Sequence, residues 1–427
     1  MFYVFAFFLL EILATYLIKD FIPLGDAYGM MLLLASIIAI TLYLYRVLEK
    51  EWLMLIFAGF VVRVIVLFID LYVPSIQIFS SGTDTEYFHE VSLLIANGMF
   101  PLEDGATNYV PFLSAIYYMI GDQRPFAQFL NVAFWVFSAV YLMKALIHLQ
   151  IDKKLIFTAL LIFTVMPNSI FMSSILLRES IIIFLITVSL YHFIRWFADG
   201  TFPNFLIAIV LALGSMMFHS GMIGFVLAYV LAFLFLSKSG SKKISQNVLF
   251  ILFLGLLVLV MAQNAEMFLS KFIDAEGNNA VSDLEISGEG GSMYLSSFNG
   301  MSGAVAVMVA PIKMFYFMFS PIPLDWRGLG DIVSFLFDSS VYLFLVGATI
   351  YGLFKSDMPM RNKIFILMFL AITVLVYSYG TQSAGTAMRH RNKIIPLLLI
   401  TFTIANSKGL LQMAEGRFRR KKEEKAT

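Results

Sequence analysis

The short stretch "GTAMRHRNKIIP" places Arg389, His390, Arg391 and Lys393 directly before a hydrophobic segment. A charge near the bilayer centre costs about 2.5–3.5 kcal/mol on insertion scales, so this cluster needs compensation. Guanidinium groups bind phosphate oxygens through paired, charge-assisted hydrogen bonds. We therefore predict that Arg389 and Arg391 contact a phosphate in a pocket that includes His390. The alternative is anchoring at the lipid headgroups, which we favour for Lys393.

A second candidate site is acidic and lies in "GTDTEYFHEVSLLIANG", residues 82–98. Apolar residues recur at helical spacing, which predicts an amphipathic helix on the outer membrane surface. Asp84 and Glu86 are the candidate catalytic carboxylates, and Asp84 could take a proton from an acceptor hydroxyl as general base. The alternative is structural, because Thr83 and Glu86 fit a capping box and acidic residues favour a first helical turn.

A third stretch, "MPNSIFMSSILLRES", combines a helix-ending proline with a charged pair. Pro167 ends one predicted span, and Arg178 with Glu179 stands in the first turns of the next. We predict that Arg178 binds a lipid-linked phosphate and that Glu179 orients it or binds a polar acceptor. Pairing of the two side chains with each other or with headgroups is the alternative.

Other polar residues fall inside apolar segments. Arg63 is mid-span, and Asp70 follows seven residues later on the same helical face. Their spacing predicts either an intramembrane pair or two residues that line the same pocket. His219 lies in "FHSG", between two apolar stretches, as a polar turn residue or a further pocket residue.

The elements that hold these residues are hydrophobic helices. Apolar residues make up 60% of the 427 residues and charged ones 13%, about half the share in soluble domains. A spanning helix needs roughly 20 mostly apolar residues, and such stretches recur along the chain. We predict an all-α polytopic bundle of 11–13 helices, with one transmembrane domain over 1–407 and a basic cytoplasmic tail over 408–427. The predicted spans are 2–18, 28–46, 53–73, 126–148, 154–173, 176–197, 203–217, 221–237, 246–264, 304–320, 333–354, 363–380 and 392–407.

Basic residues in the short loops favour a cytoplasmic N-terminus. That orientation leaves two long segments outside, 74–125 and 265–303, and the glycine-rich second one could close over a site. For the spans to alternate, the 304–332 region must begin and end outside, and we interpret it as partly re-entrant. The orientation then also puts the Arg389–Lys393 cluster outside, against the charge rule. The net charge of +1 argues against a nucleic-acid partner, whereas the tail "GRFRRKKEEK" could contact anionic membrane lipids.

The sequence also lacks several motifs of nucleotide and hydrolase chemistry. It contains no P-loop, GxSxG, HExxH or Rossmann fingerprint, and no cysteine for a disulfide or thiolate site. An already activated lipid-linked donor would supply energy without ATP. We predict no protein-held metal and no certain cofactor, and leave assistance by a divalent cation open.

The order of these features resembles the GT-C class of integral-membrane glycosyltransferases, in particular the branch with the protein mannosyltransferases. The resemblance covers about 53–407 and rests on the acidic outer helix, the basic late motif and three segments between them. It implies a GT-C-like fold with Asp84 as base, Glu86 nearby, phosphate contacts from Arg178, Arg389 and Arg391, and Tyr109 near the pocket wall. The three segments are "NYVPFLSAIYYMIG", "AQFLNVAFWVFSAVYLMKAL" and "MPNSIFMSSILLRES".

The predicted function is transfer of a sugar from a polyprenyl-phosphate carrier to an outward-facing glycan or lipid-linked acceptor. It would serve cell-envelope or exopolysaccharide assembly in the bacterial cytoplasmic (inner) membrane. Wzy-like polysaccharide polymerases and O-antigen ligases are close alternatives. A transporter or flippase of a lipid-linked or anionic solute, and a non-catalytic scaffold, are alternatives from other classes.

Overall fold

The computed structural model describes residues 1–21, 25–73, 82–102, 107–236, 293–294 and 308–407. These residues form helices and turns, with one isolated β-bridge between Met293 and Ser383. The helices in chain order are α1 (Phe2–Ile18), α2 (Asp26–Val47), α3 (Lys50–Tyr72), α4 (Gly82–Ala96), α5 (Tyr109–Ile120), α6 (Arg124–His148), α7 (Lys153–Val165), α8 (Pro167–Ser174), α9 (Glu179–Asp199), α10 (Phe202–Phe218), α11 (Ile223–Leu236), α12 (Ala310–Phe319), α13 (Leu329–Ser334), α14 (Ser340–Lys355), α15 (Met360–Tyr379), α16 (Ala384–Asn392) and α17 (Ile395–Asn406).

The chain is an integral membrane protein of the all-α class, as the sequence predicts. Six described helices are long and apolar enough to cross a bilayer, and α7 with α8 forms one further candidate bent by 56°. The six are α2, α3, α6, α9, the continuous stretch Leu329–Lys355 and α15. Shorter apolar helices, such as the 12-residue α5, accompany them.

The described chain divides into two compact units, Met1–Val188 with Ser407–Leu410 and Ser189–Asn406 with Leu411–Thr427, of which 408–427 lie outside the described residues. The boundary falls inside α9. The predicted single domain over 1–407 and the basic tail stay predictions.

The first unit is built around α6. This helix is apolar on every face, and side chains from Phe126 to Leu146 are almost all buried, as expected of a helix surrounded by others. Trp135 stacks on Phe163 of α7 with ring centroids 5.8 Å apart. The short helix α4 packs against α5, where Phe88 meets the ring of Tyr109 edge-on at 5.2 Å.

The second unit depends on close helix packing at small residues. A Cβ added at Gly352 of α14 would come within 2.7 Å of the Ala405 carbonyl oxygen on α17. A Cβ added at Gly224 of α11 would lie 3.0 Å from the Thr373 Cα of α15. Glycine therefore lets these pairs approach as small residues do in membrane helices.

Three helix irregularities position polar groups. Pro167 separates α7 from α8, and a short 3₁₀ turn, Ser220–Met222, separates α10 from α11 at the predicted "FHSG" break. A π-helical turn, Phe335–Ser339, joins α13 to α14 and carries Asp338. Such turns free backbone groups from the regular helical pattern and often occur at functional sites.

Some predictions fall on residues that the structure does not describe. They are the span 246–264, the loop 265–303 apart from Met293 and Tyr294, the start of the span 304–320, and the tail 408–427. The predicted helix over 82–98 is present as α4, Gly82–Ala96, and its position on the outer membrane surface stays a prediction. A short helix, α5, follows from Tyr109.

Candidate functional site

The first candidate site lies where α9 begins, in the first unit. The chain between α8 and α9 is irregular, and two amide side chains of α6 hold its carbonyl groups. Asn131 Nδ2 donates to the carbonyls of Ile175 (2.7 Å) and Leu177 (2.8 Å). Gln128 Nε2 donates to the Ser174 carbonyl at 2.7 Å and to Asp70 Oδ2 at 2.8 Å. These bonds fix the direction in which α9 starts.

Arg178 and Glu179 follow directly on this fixed segment. Glu179 is fully buried, and Arg178 is half-buried. Arg178 Nε is shielded from solvent and donates to no acceptor among the described residues. A helix start presents backbone N–H groups and a positive dipole end, so a cation at that position makes a setting for an anion.

Tyr109 connects this site to helix α4. Its ring is buried against Phe88 of α4, and its hydroxyl lies 3.5 Å from Asn131 Nδ2. Tyr109 therefore lies between α4 and the Asn131 side chain that holds the segment before α9.

Asp84 and Glu86 stand at the start of α4 with different surroundings. Glu86 accepts two hydrogen bonds from Arg124, at 2.8 and 2.7 Å, so a bidentate ion pair ties α4 to the first residue of α6. These hydrogen bonds lower the pKa of the Glu86 carboxyl. Asp84 is half-buried in the first turn. The partner in the predicted capping box, Thr83, has a side chain outside the described residues.

The sequence analysis missed a histidine next to this ion pair. His89 Nδ1 lies 2.9 Å from the Tyr117 hydroxyl, and Nε2 lies 3.7 Å from Asp122 Oδ1. Burial lowers the pKa of His89, so the imidazole is neutral near pH 7. No sequence pattern indicated a role for His89, because its partners Tyr117 and Asp122 come from a different helix and from the loop after that helix.

The surroundings of Arg63 indicate a structural role for this side chain. It is fully buried, donates to Ser173 Oγ at 2.8 Å and to the carbonyls of Gly59 and Thr164, and stacks on Trp135 at 3.5 Å. The pairing with Asp70 suggested by the sequence is not formed. Residues seven apart share a helical face but are separated by about 10 Å along the axis, and each side chain has nearer partners.

In the second unit, Arg391 is also buried, and its guanidinium N–H groups form hydrogen bonds. Nε and one terminal nitrogen donate to Asp338 Oδ2, and the other contacts are Ser339 Oγ and the carbonyls of Met318 and Ser320. A guanidinium has five N–H donors, and these five bonds engage all of them. Phosphate contact by Arg391 stays a prediction, but this conformation favours an anchoring role for it.

The other basic residues of α16 lie beside this anchor. Arg389 is half-buried and Lys393 fully buried, so the Lys393 ammonium does not extend along the protein surface as headgroup anchoring requires. Ser383 caps the start of α16 by accepting from the Thr386 N–H at 3.3 Å.

His219 and His390 meet directly in the second unit. Their Nε2 atoms are 3.1 Å apart, and His390 Nδ1 lies 2.9 Å from Thr381 Oγ1. The ring of Tyr377 stacks on His219 with centroids 5.2 Å apart. The sequence predicted that both histidines belong to a pocket. In the structure they contact each other, and this contact joins the α10–α11 break to α16.

Comparison with known proteins gives no relative for this chain: no protein-family model, no curated protein and no solved structure matches it. Interpretation therefore rests on the geometry of the two candidate sites. In the part of the chain that the structure describes, no group of three or more histidine, aspartate or glutamate side chains could hold a metal ion.

Proposed function

We propose that the protein is a membrane glycosyltransferase with a GT-C-like bundle of 11–13 membrane-spanning helices. It transfers a sugar from a polyprenyl-phosphate-linked donor to a glycan or lipid-linked acceptor outside the cytoplasm. Its place is the bacterial cytoplasmic membrane, in the assembly of a cell-envelope or exopolysaccharide. The supporting observations are the six apolar helices long enough to cross a bilayer, the carboxylates Asp84 and Glu86 at the start of α4, and Arg178 directly before α9.

The observation that carries the proposal is the construction around Arg178. The amides of Gln128 and Asn131 hold the preceding segment, so α9 begins in a fixed direction, with Arg178 immediately before its first turn and Glu179 in that turn. Arg178 Nε is buried and donates to no described acceptor. A phosphate monoester would accept from it and from the helix N-terminus.

The reaction would be a direct displacement at the sugar's anomeric carbon. The acceptor oxygen forms a bond to that carbon while the bond to the phosphate oxygen breaks, and polyprenyl phosphate leaves. Asp84 takes the acceptor's proton. Arg178 stabilises the growing negative charge on the phosphate, which oriented charges away from bulk water do well.

The arginines of α16 would take separate parts in the second unit. Arg391, with its donors held by Asp338, Ser339 and two carbonyls, fixes the helix. Arg389 remains the candidate of this helix for contact with an anionic headgroup.

Transport of a lipid-linked or anionic solute is the second candidate, because α7 and α8 form a broken span. Broken helices line the binding sites of many transporters. Here Arg63 and its partners fill the break, and a Cβ at Gly59 would lie 2.4 Å from Thr164 Cγ2. The packing leaves no room for a solute beside Gly59, which favours transfer over transport.

Binding of a short-chain polyprenyl phosphate to the full-length protein in nanodiscs tests the proposal. Arg178→Gln removes the proposed phosphate contact and should weaken binding by about 10–100-fold, since hydrogen bonds to charged groups contribute about 1.5–3 kcal/mol. Arg195→Gln is the matched control on the same helix, because Arg195 forms an exposed pair with Asp199. Equal affinity in the two variants would contradict the proposed role of Arg178.

A further inference from the structure

A backbone N–H group determines which of the two rings, His219 or His390, donates the hydrogen bond between them. The Gly221 N–H donates to His219 Nδ1 at 3.1 Å. A nitrogen that accepts carries no proton, so neutral His219 has its proton on Nε2. His219 therefore donates to His390 Nε2, 3.1 Å away.

The same reasoning continues through His390. Its Nε2 accepts, so its proton lies on Nδ1, 2.9 Å from Thr381 Oγ1. Three hydrogen bonds run in one direction through two neutral imidazoles. A metal ion has no place between the rings, because the Nε2 of His219 carries a proton in the facing position and metals bind the unprotonated nitrogen.

We propose that this pair is a proton-binding site that works as a pH-sensitive latch. Only two ring nitrogens have lone pairs, His219 Nδ1 and His390 Nε2. A proton on His390 Nε2 would face the N–H of His219, and a proton on His219 Nδ1 would face the N–H of Gly221. Binding one proton therefore breaks one of the three bonds, and a proton on His390 Nε2 breaks the bond between the two rings and opens the latch.

The latch holds parts of the second unit that are far apart in sequence. His219 lies at the break between α10 and α11, and Thr381 lies in the turn before α16. That turn also binds Tyr294, whose hydroxyl donates to the Thr381 carbonyl and whose N–H donates to the Gln382 carbonyl, both at 3.0 Å. In the predicted orientation this assembly faces the outer side, where pH varies.

Among the residues that the structure describes, few other ionisable groups lie on the elements packed against the pair. Tyr377 of α15 lies against both imidazoles, with ring centroids 5.2 Å from His219 and 5.6 Å from His390. Residues of α10 and its 3₁₀ turn carry no ionisable side chain, and Tyr229 of α11 bonds Ser189. The remaining groups are Tyr294, Tyr379 with Lys313 of α12 over its ring, Tyr316 of α12, and the α16 residues Arg389 and Arg391, the last paired with Asp338.

Nitrogen-15 NMR of histidine-labelled protein in nanodiscs tests the assignment directly. The chain has five histidines, so His→Gln variants assign each signal. At about pH 8, above the ordinary histidine pKa, His219 should be the Nε2–H tautomer and His390 the Nδ1–H tautomer. Either ring charged at that pH, or the opposite tautomers, would overturn the proposal.

A second measurement follows the opening of the latch. Because the chain has no cysteine, Met217→Cys on α10 and Gly385→Cys on α16 provide the only thiols for two spin labels. Pulsed electron resonance on samples frozen at about pH 8 and about pH 5 brackets the ordinary histidine pKa. We expect a longer or broader distance distribution in acid.

His390→Gln keeps an acceptor for His219 but cannot be protonated, so it should largely remove the acid response. His192→Gln is the control, since His192 bonds Asn204 elsewhere in the unit and should leave the response intact. An unchanged distance in the unsubstituted pair, or the full acid response in His390→Gln, would overturn the latch. Neither measurement depends on the proposed transferase reaction.

Discussion

Two fully buried arginines in this protein are stabilised by different chemistry. Arg63 has hydroxyl and carbonyl acceptors and the face of Trp135. Arg391 has the carboxylate of Asp338 together with a hydroxyl and two carbonyls. A buried charge is tolerated only when it is paired or fully hydrogen-bonded, and both side chains meet that condition. We interpret both as structural residues.

That interpretation predicts the effect of removing the second arginine. Arg391→Ala would leave Asp338 as a buried carboxylate without its cation, which typically costs about 3–5 kcal/mol. We expect a clear loss of thermal stability in nanodiscs, and partial recovery in the double variant Arg391→Leu, Asp338→Leu. Arg389→Ala, on the half-buried neighbour, is the control and should change stability much less. Equal stability of the two alanine variants would show that Arg391 is not an anchor.

At the scale of elements, α4 depends on contacts from its neighbours. Glu86 binds Arg124 of α6, His89 meets Tyr117 of α5, and Phe88 packs on Tyr109. An isolated 15-residue helix is marginal without such packing. These contacts therefore decide whether Asp84 keeps its position.

The ion pair should make the order of α4 depend on pH. Because Arg124 lowers the pKa of Glu86, its contribution is present above the unfolded pKa of about 4.3 and is lost as pH falls below that value. The lowered pKa of His89 adds an earlier loss below about 6.5. Glu86→Gln should remove the lower step and speed hydrogen exchange of α4 at pH 7 by at most about fivefold, as partly exposed pairs contribute up to about 1 kcal/mol.

Hydrogen-exchange mass spectrometry of α4 between about pH 7 and about pH 3.5, corrected for the intrinsic pH dependence, measures both steps. Glu90→Gln, on the exposed side of the same helix, should keep them. A variant lacking Glu86 that still shows the lower step would contradict the ion-pair account.

The packing at the α7–α8 break gives a sharper element-scale prediction. A Cβ at Gly59 would lie 2.4 Å from Thr164 Cγ2 and 2.6 Å from Trp135. Gly59→Ala should therefore destabilise the protein by about 1–3 kcal/mol, measured as a lower thermal midpoint. Gly347→Ala is the matched control, because that helical position is open and alanine favours helix. Equal midpoints would mean that the break repacks freely.

Sequence patterns predict the helices well and their side-chain partners poorly. The predicted span 126–148 corresponds to Arg124–His148, and 2–18 to Phe2–Ile18, because apolar stretches set both. The Asp338–Arg391 and Glu86–Arg124 pairs join residues 53 and 38 positions apart. Only the packing of helices brings such residues together, so the local spacing of residues in the sequence does not predict these pairs.

At the scale of the whole molecule, we propose a membrane-embedded transferase that uses an ATP-independent, lipid-linked donor. Apolar spans provide the membrane setting. The candidate sites are set by helix irregularities: α9 begins after an irregular segment, and α16 is held by the π turn that carries Asp338. Function in this protein is expected at these interruptions, because a regular apolar helix leaves few polar groups to bind a headgroup.

Mass spectrometry of lipid-linked saccharides and of surface glycan, in cells with and without the gene, tests the central claim most directly. Loss of the gene should accumulate a polyprenyl-phosphate sugar and remove that sugar from the glycan. A gene carrying Asp84→Asn should restore a transfer rate about 100-fold or more below that of the unaltered gene, because a general base usually contributes at least this factor. A gene carrying Glu90→Gln should restore transfer fully. Unchanged lipid-linked saccharides and glycan after deletion would contradict the assignment as a glycosyltransferase.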